Sequence, residues 1–184
     1  MKNNVESYIK YLNGNDEGLV EIIRDYKDGL ILYLNRFVKN FSIAEDLTQD
    51  VFVKLAIKKP NFKEESSFKT WIYKIATNKA LDFIKKNRIN NFQSIDEYND
   101  IQSSENVERS FLIEERKIVL HKALNSLNDA YYSVLYLSYF ENLSNSEIAR
   151  IMKKNTRQIE NLVYRAKLSL KDELLEMGFE YENL

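Results

Sequence analysis

Two stretches of this chain concentrate side chains able to hold a nucleic acid. In the first, FKTWIYKIATNKALDFIKKNR at residues 68–88, aromatic rings alternate with Lys, Thr and Asn. A base taken out of a duplex is held by stacking on an aromatic face, worth ~1–3 kcal/mol, while cations follow the phosphate backbone. Trp71 and Tyr73 supply rings here, Phe62 supplies one in the loop just before, and Lys69, Lys74, Asn78 and Lys85 supply polar partners. Aromatics at helical spacing are equally the mark of a core. Phe68, Trp71 and Ile75 share one face, so Phe68 and part of Trp71 are expected to be structural.

The second stretch opens at Ser144-Asn145-Ser146-Glu147, a capping box in front of the short run IARIM, and resumes after a three-residue turn around Lys153 with Asn155-Thr156-Arg157-Gln158, which can cap another helix. Helices joined so tightly form a helix-turn-helix, whose second member lies in the DNA major groove with its N-terminal side chains on base edges. Ile148, Ala149, Ile159 and Val163 would hold the pair together. Thr156, Arg157, Gln158, Glu160, Asn161, Tyr164, Arg165 and Lys167 remain outward or flanking, a set suited to base and phosphate contacts. The plainer alternative is a helical hairpin with a solvated cationic face.

Charge follows these stretches. The net charge of −1 conceals blocks: residues 54–88 carry ten Lys and Arg against three acids, and residues 150–171 carry seven against one. Between them residues 96–115 carry seven acids against one Arg, and residues 172–184 add five acids with no base. Two basic blocks that coincide with motifs fit two phosphate-facing surfaces on one chain. Chemistry of other kinds finds little to work with. The sequence has no Cys and one His, His121, and lacks a Gly-rich phosphate loop, so neither a catalytic role, a cofactor nor a metal is expected. No apolar run approaches the ~18–20 residues of a membrane span. The protein is expected to be cytoplasmic and not to enter a membrane.

Helices must position these groups, since four Gly and one Pro leave few breakers and strand-like alternation is absent. Apolar spacing predicts helices over 4–13 and 16–40, with Gly29 as the place where the second could break, then a helix capped by Ser42 with Glu45. On that helix Ile43, Leu47, Val51 and Leu55 make an apolar stripe, while Asp46, Gln49, Asp50 and Val53 lie on another face. A loop from Pro60 leads to a helix over 67–87. Residues 89–106 lose the period and read as a linker, after which helices are expected over 107–125, 129–141, 144–152 and 155–176. The fold class is all-α, with two small helical domains on a flexible acidic linker: residues 1–90, 91–112 and 113–184.

The run from Ala44 to Phe52 (AEDLTQDVF), followed by FKTWIYKIATN at 68–78, resembles region 2 of the extracytoplasmic-function (ECF) sigma factors of the sigma-70 family. ALNSL at 123–127, LSNSEIA at 143–149 and YRAK at 164–167 resemble their region 4. The likeness covers nearly the whole chain in the right order. It implies a non-enzymatic protein that recruits RNA polymerase core to promoter DNA, with an anti-sigma factor as a restraining partner. It further implies that Asp46, Gln49 and Asp50 grip core polymerase. Phe62, Lys69, Trp71, Tyr73, Lys74, Asn78 and Lys85 would then engage the minus-10 region, and the helix-turn-helix would read the minus-35 region. Departures fall at Asn128, where the family usually has Pro, and at Lys153-Lys154, where the turn usually has a small residue. Rival readings are a stand-alone helix-turn-helix regulator, which needs no strand-opening aromatics, and a helical adaptor that binds no DNA.

Overall fold

The computed structural model describes residues 4–63, 65–90 and 111–179, and every regular element among them is helical. Helix α1, Asn4–Leu12, buries Tyr8 and Tyr11, whose hydroxyls donate to the carbonyls of Pro60 (2.7 Å) and Ala56 (2.8 Å) and so tie the first helix to the end of the third. Helix α2, Glu17–Val38, runs unbroken through Gly29, where sequence spacing suggested a break. Gly29 serves crowding instead: a Cβ there would lie 2.7 Å from the Tyr73 hydroxyl and 3.0 Å from Glu141 Oε1. Helix α3, Phe41–Lys58, is capped by Asn40, whose extended backbone lets its side chain accept from the Ile43 amide at 3.1 Å. The expected cap at Ser42 is thereby corrected, since Ser42 already lies within the first turn. Leu47, Val51 and Leu55 are buried as the stripe predicted, and Ala44, Thr48 and Phe52 widen the inward face. Helix α4, Phe68–Asn90, crosses beneath them with Phe68, Ile72, Ala76 and Ala80 inside.

The second domain begins with α5, Phe111–Ser126, and α6, Asp129–Leu135. Asn128 caps α6 by accepting from the Tyr131 amide at 2.9 Å, so the helix starts well without the proline of the family pattern. Residues Tyr136–Phe140 form one π-helical turn where a continuous α-helix to 141 was expected. Helices α7, Asn145–Met152, and α8, Thr156–Glu176, complete the chain's regular structure among the described residues. The expected linker over 91–110 lies outside the described residues.

The domains rest on one another. Arg36 of α2 reaches the carbonyls of Asn125 (2.8 Å) and Leu127 at the end of α5, lies over the Tyr132 ring at 5.2 Å, and forms an ion pair with Asp129 at 3.1 Å that lacks hydrogen-bond alignment. Tyr136 donates to the Gly29 carbonyl at 3.0 Å. Further along, α7 lies against the start of α4.

Candidate nucleic-acid interface

Two reciprocal capping boxes build the helix-turn-helix. Ser144 and Glu147 exchange bonds at the start of α7, and Asn155 and Gln158 do the same at the start of α8, so local side chains satisfy orphan amides at both N-termini. Lys153 turns the corner in the left-handed region at φ +54°, a conformation that costs a residue with a Cβ about 1–2 kcal/mol relative to Gly. Ile148, Ile151 and Ile159 are fully buried between the helices, while Val163 is half-buried. Burial on this side leaves Thr156, Arg157, Gln158, Glu160, Asn161, Tyr164, Arg165 and Lys167 exposed, all as the sequence suggested. Two of them also have local work. The Gln158 carbonyl accepts from the Asn155 amide at 3.0 Å, and Lys167 Nζ lies 5.2 Å over the exposed Tyr139 ring.

The α4 surface is more divided than its sequence implied. Lys74 and Lys85 are exposed and Asn78 is half-buried on the same helix. Phe62 and Trp71 are half-buried within an aromatic cluster: Phe62 lies 5.3 Å from Trp71 and 5.7 Å from Phe68, and Trp71 packs 5.4 Å from Tyr8. Tyr73 corrects the expectation of a surface ring. It is 1% exposed, packs edge-on against Tyr33 at 5.3 Å, and directs its hydroxyl towards Glu141 and Tyr136 of the second domain. Burial, with the Glu141 carboxylate and Tyr136 beside it, holds that hydroxyl protonated far beyond the ordinary tyrosine range. Tyr73 is therefore core, because α4 is buried on two sides and only one of them shows as a simple stripe.

On α3 the side chains of Asp46, Gln49 and Asp50 are exposed. Asp50 is paired with Lys79 of α4 at 2.7 Å. Beside this pair runs an open groove lined by Val53, Lys54, Ile57 and Lys58, with Ile57 77% exposed. Ile57 was not singled out by the sequence, although its place one turn beyond Val53 on a non-core face is a readable signal.

Sequence reasoning missed a second group altogether. Glu147 Oε1 accepts from Ser67 Oγ at 2.6 Å and from Thr70 Oγ1 at 3.0 Å, while Oε2 holds the Ser144 amide and hydroxyl. Burial alone would push its carboxyl up, but the bonds from Ser67, Ser144 and Thr70 outweigh that and bring it down to about 2. Lys69 is paired with Glu141 at 3.0 Å and also donates to the Glu141 carbonyl. Arg150 donates to the Glu65 carbonyl in the loop before α4. Partners so far apart in sequence leave no periodic trace.

Comparison with known proteins gives two family matches, Sigma-70 region 2 over residues 22–89 and Sigma-70, region 4 over residues 117–170. RNA polymerase sigma factor YlaC of Bacillus subtilis (strain 168) is 29% identical over 157 residues, covering 84% of this chain and 91% of its own. ECF RNA polymerase sigma factor SigW of the same organism is 24% identical, covering 89% of this chain and 92% of its own. Among solved structures, the sigma factor RpoE in complex with the anti-sigma factor NepR from Bartonella quintana superposes with a TM-score of 0.67 at 22% identity, over 84% of this chain and 94% of that one. That likeness concerns the fold.

Proposed function

The chain belongs to the sigma-70 family of RNA polymerase sigma factors, whose region 2 and region 4 together span well over half of it, and from that membership we propose how its surfaces divide the work. As a sigma factor it directs core polymerase to promoters and initiates transcription, without chemistry of its own. Residues 1–90 act as the region 2 domain, 91–112 as an acidic linker and 113–184 as the region 4 domain, although α5 begins at Phe111, two residues ahead of that last boundary.

Asp46, Gln49 and Asp50 dock core polymerase, with Val53 and Ile57 as apolar complement along the adjoining groove. A negative surface meeting a basic partner speeds and orients association. Lys69, Lys74, Asn78 and Lys85 line the strand-engaging side of α4, with Phe62 and Trp71 offering the exposed parts of their rings. Thr156, Arg157, Gln158, Glu160, Asn161, Tyr164, Arg165 and Lys167 meet the upstream element. The single observation that carries this reading is that the N-terminal face of α8 and the acidic face of α3 are both fully presented to solvent on separate domains. One face suits duplex DNA and the other suits a protein. A regulator acting without polymerase would not need the second.

No helix among the described residues is long and apolar enough to cross a membrane, which fits action in the cytoplasm. A restraining anti-sigma protein is the expected partner off DNA, by analogy with the complex of the Bartonella quintana factor. Purified chain mixed with core polymerase and a promoter library tests the whole. Specific initiation from a small promoter set is expected. Binding of duplex sites without any stimulation of core would favour the stand-alone regulator, and absence of salt-sensitive nucleic-acid binding would favour the adaptor.

A further inference from the structure

The second domain lays its carboxylates on the groups that begin α4. Glu147 takes both hydroxyls of Ser67 and Thr70, and Glu141 takes the ammonium of Lys69. Around this contact Arg150 holds the loop carbonyl of Glu65, Tyr136 holds the carbonyl of Gly29, and Arg36, its side chain 11% exposed, is locked into the junction of α5 and α6. Thr70 is 1% exposed in this arrangement. Carboxylates on hydroxyls and an ammonium are what phosphate oxygens would offer to the same groups. The acidic face of α3 and the N-terminal face of α8 stay uncovered at the same time.

We propose that this contact is an autoinhibitory clasp: Glu141 and Glu147 occupy the places that phosphates of the opened promoter strand take on Lys69, Ser67 and Thr70, so the strand is engaged only after the domains part. The inference rests on the proposed sigma function. Core docking and upstream reading need no opening, because neither face is covered. The contact is polar throughout its edge, which suits a joint that water and a nucleic acid can replace. Gly29 fits the same device. In the middle of a helix Gly costs roughly 0.5–1 kcal/mol relative to Ala, yet a Cβ here would press on the Tyr73 hydroxyl and on Glu141 at the seam.

The chain has no cysteine, so introduced pairs are clean reporters. Glu65→Cys with Arg150→Cys, both at exposed positions, can be joined across the seam by a short linker that reductant cleaves. Bridged chain with core polymerase should lose permanganate-reactive opening of a duplex promoter, and reductant should restore it. Equal opening by bridged and reduced chain overturns the clasp. Closure itself is read without polymerase, from energy transfer between dyes on Glu6→Cys and Lys171→Cys. Glu141→Gln with Glu147→Gln should lower that transfer while leaving helicity intact, since Gln still completes the capping box. Unchanged transfer overturns the clasp whatever the chain does with core. If the reduced chain opens no promoter although transfer falls as expected, the domain contact stands and the sigma reading fails.

Discussion

Replacing Gln158 by Glu and, separately, by Ala distinguishes what this side chain does for its own helix from what it does for DNA. Its carbonyl accepts from the Asn155 amide at 3.0 Å, while the Asn155 side chain accepts from the Gln158 amide at 2.8 Å. Ala removes only the first bond and releases an exposed amide to water. The loss should sit at the low end of the range for caps, about 0.5 kcal/mol. For a domain of this size that lowers Tm by about 2–4 °C. Glu keeps the acceptor, because a capping box accepts either residue, and it adds a negative charge in the first turn of α8, worth about 0.3–1 kcal/mol against the helix dipole. Tm should then be unchanged or slightly raised. On DNA the ranking differs. An amide both donates and accepts at an adenine edge, whereas a carboxylate only accepts and is repelled by neighbouring phosphates. Both variants should lose about 1–3 kcal/mol of discrimination at one position of the upstream element, a factor of about 5–150. Thermal denaturation by circular dichroism and competition binding of holoenzyme over substituted upstream duplexes supply the two readings. A Glu variant with the parent's preference and affinity would make Gln158 a cap alone and refute its place on the bases.

Asp46→Arg combined with Gln49→Ala should leave helicity unchanged and abolish co-purification with core polymerase, since both side chains are exposed on α3; retained co-purification removes this face from the docking surface. Lys74→Ala combined with Asn78→Ala should reduce permanganate reactivity on a duplex promoter and be rescued on a pre-opened bubble, whereas equal defects on both would assign these groups to general binding. Glu147 is held down to about 2, so its contribution to the domain contact is present above the ordinary carboxyl value and lost only as pH falls through about 2. Replacing Ser67 by Ala and Thr70 by Val should raise that value in a carboxyl-carbon NMR titration, and an unmoved value would show that the domains do not touch there in solution.

Features set by neighbours along the chain are legible in the sequence itself. The caps at Asn128, Ser144 and Asn155 each sit within three residues of the amide they serve, and the buried stripe of α3 repeats at helical spacing. Where two local solutions compete, sequence alone favours the wrong one: Asn40 and Ser42 can both cap, and Asn40 prevails because its backbone is already extended. Gly29 reads as a helix break because its other use, making room for Tyr73 and Glu141, involves residues far along the chain. Tyr73 is misread for a related reason. A helix covered on two sides shows no single polar face, so an aromatic among lysines reads as surface until the partner from the second domain is present.

The π-helical turn at Tyr136–Phe140 has a consequence for how this chain can change over time. Its widened ring, closed from the Glu141 amide to the Tyr136 carbonyl, lets the rings of Tyr132, Tyr136 and Phe140 stack in one column, with both interplanar angles at 14°. In an ordinary α-helix residues four apart drift by about 40° around the axis, and such a column would shear. Removing any one residue from the turn would let the regular ladder close and rotate everything beyond it by about 100°, carrying Glu141 away from Lys69. Point substitutions leave that register alone. A single-codon deletion is therefore the shortest mutational route to a chain whose two halves no longer recognise each other, and the length of this segment, more than its composition, is the character to compare among relatives.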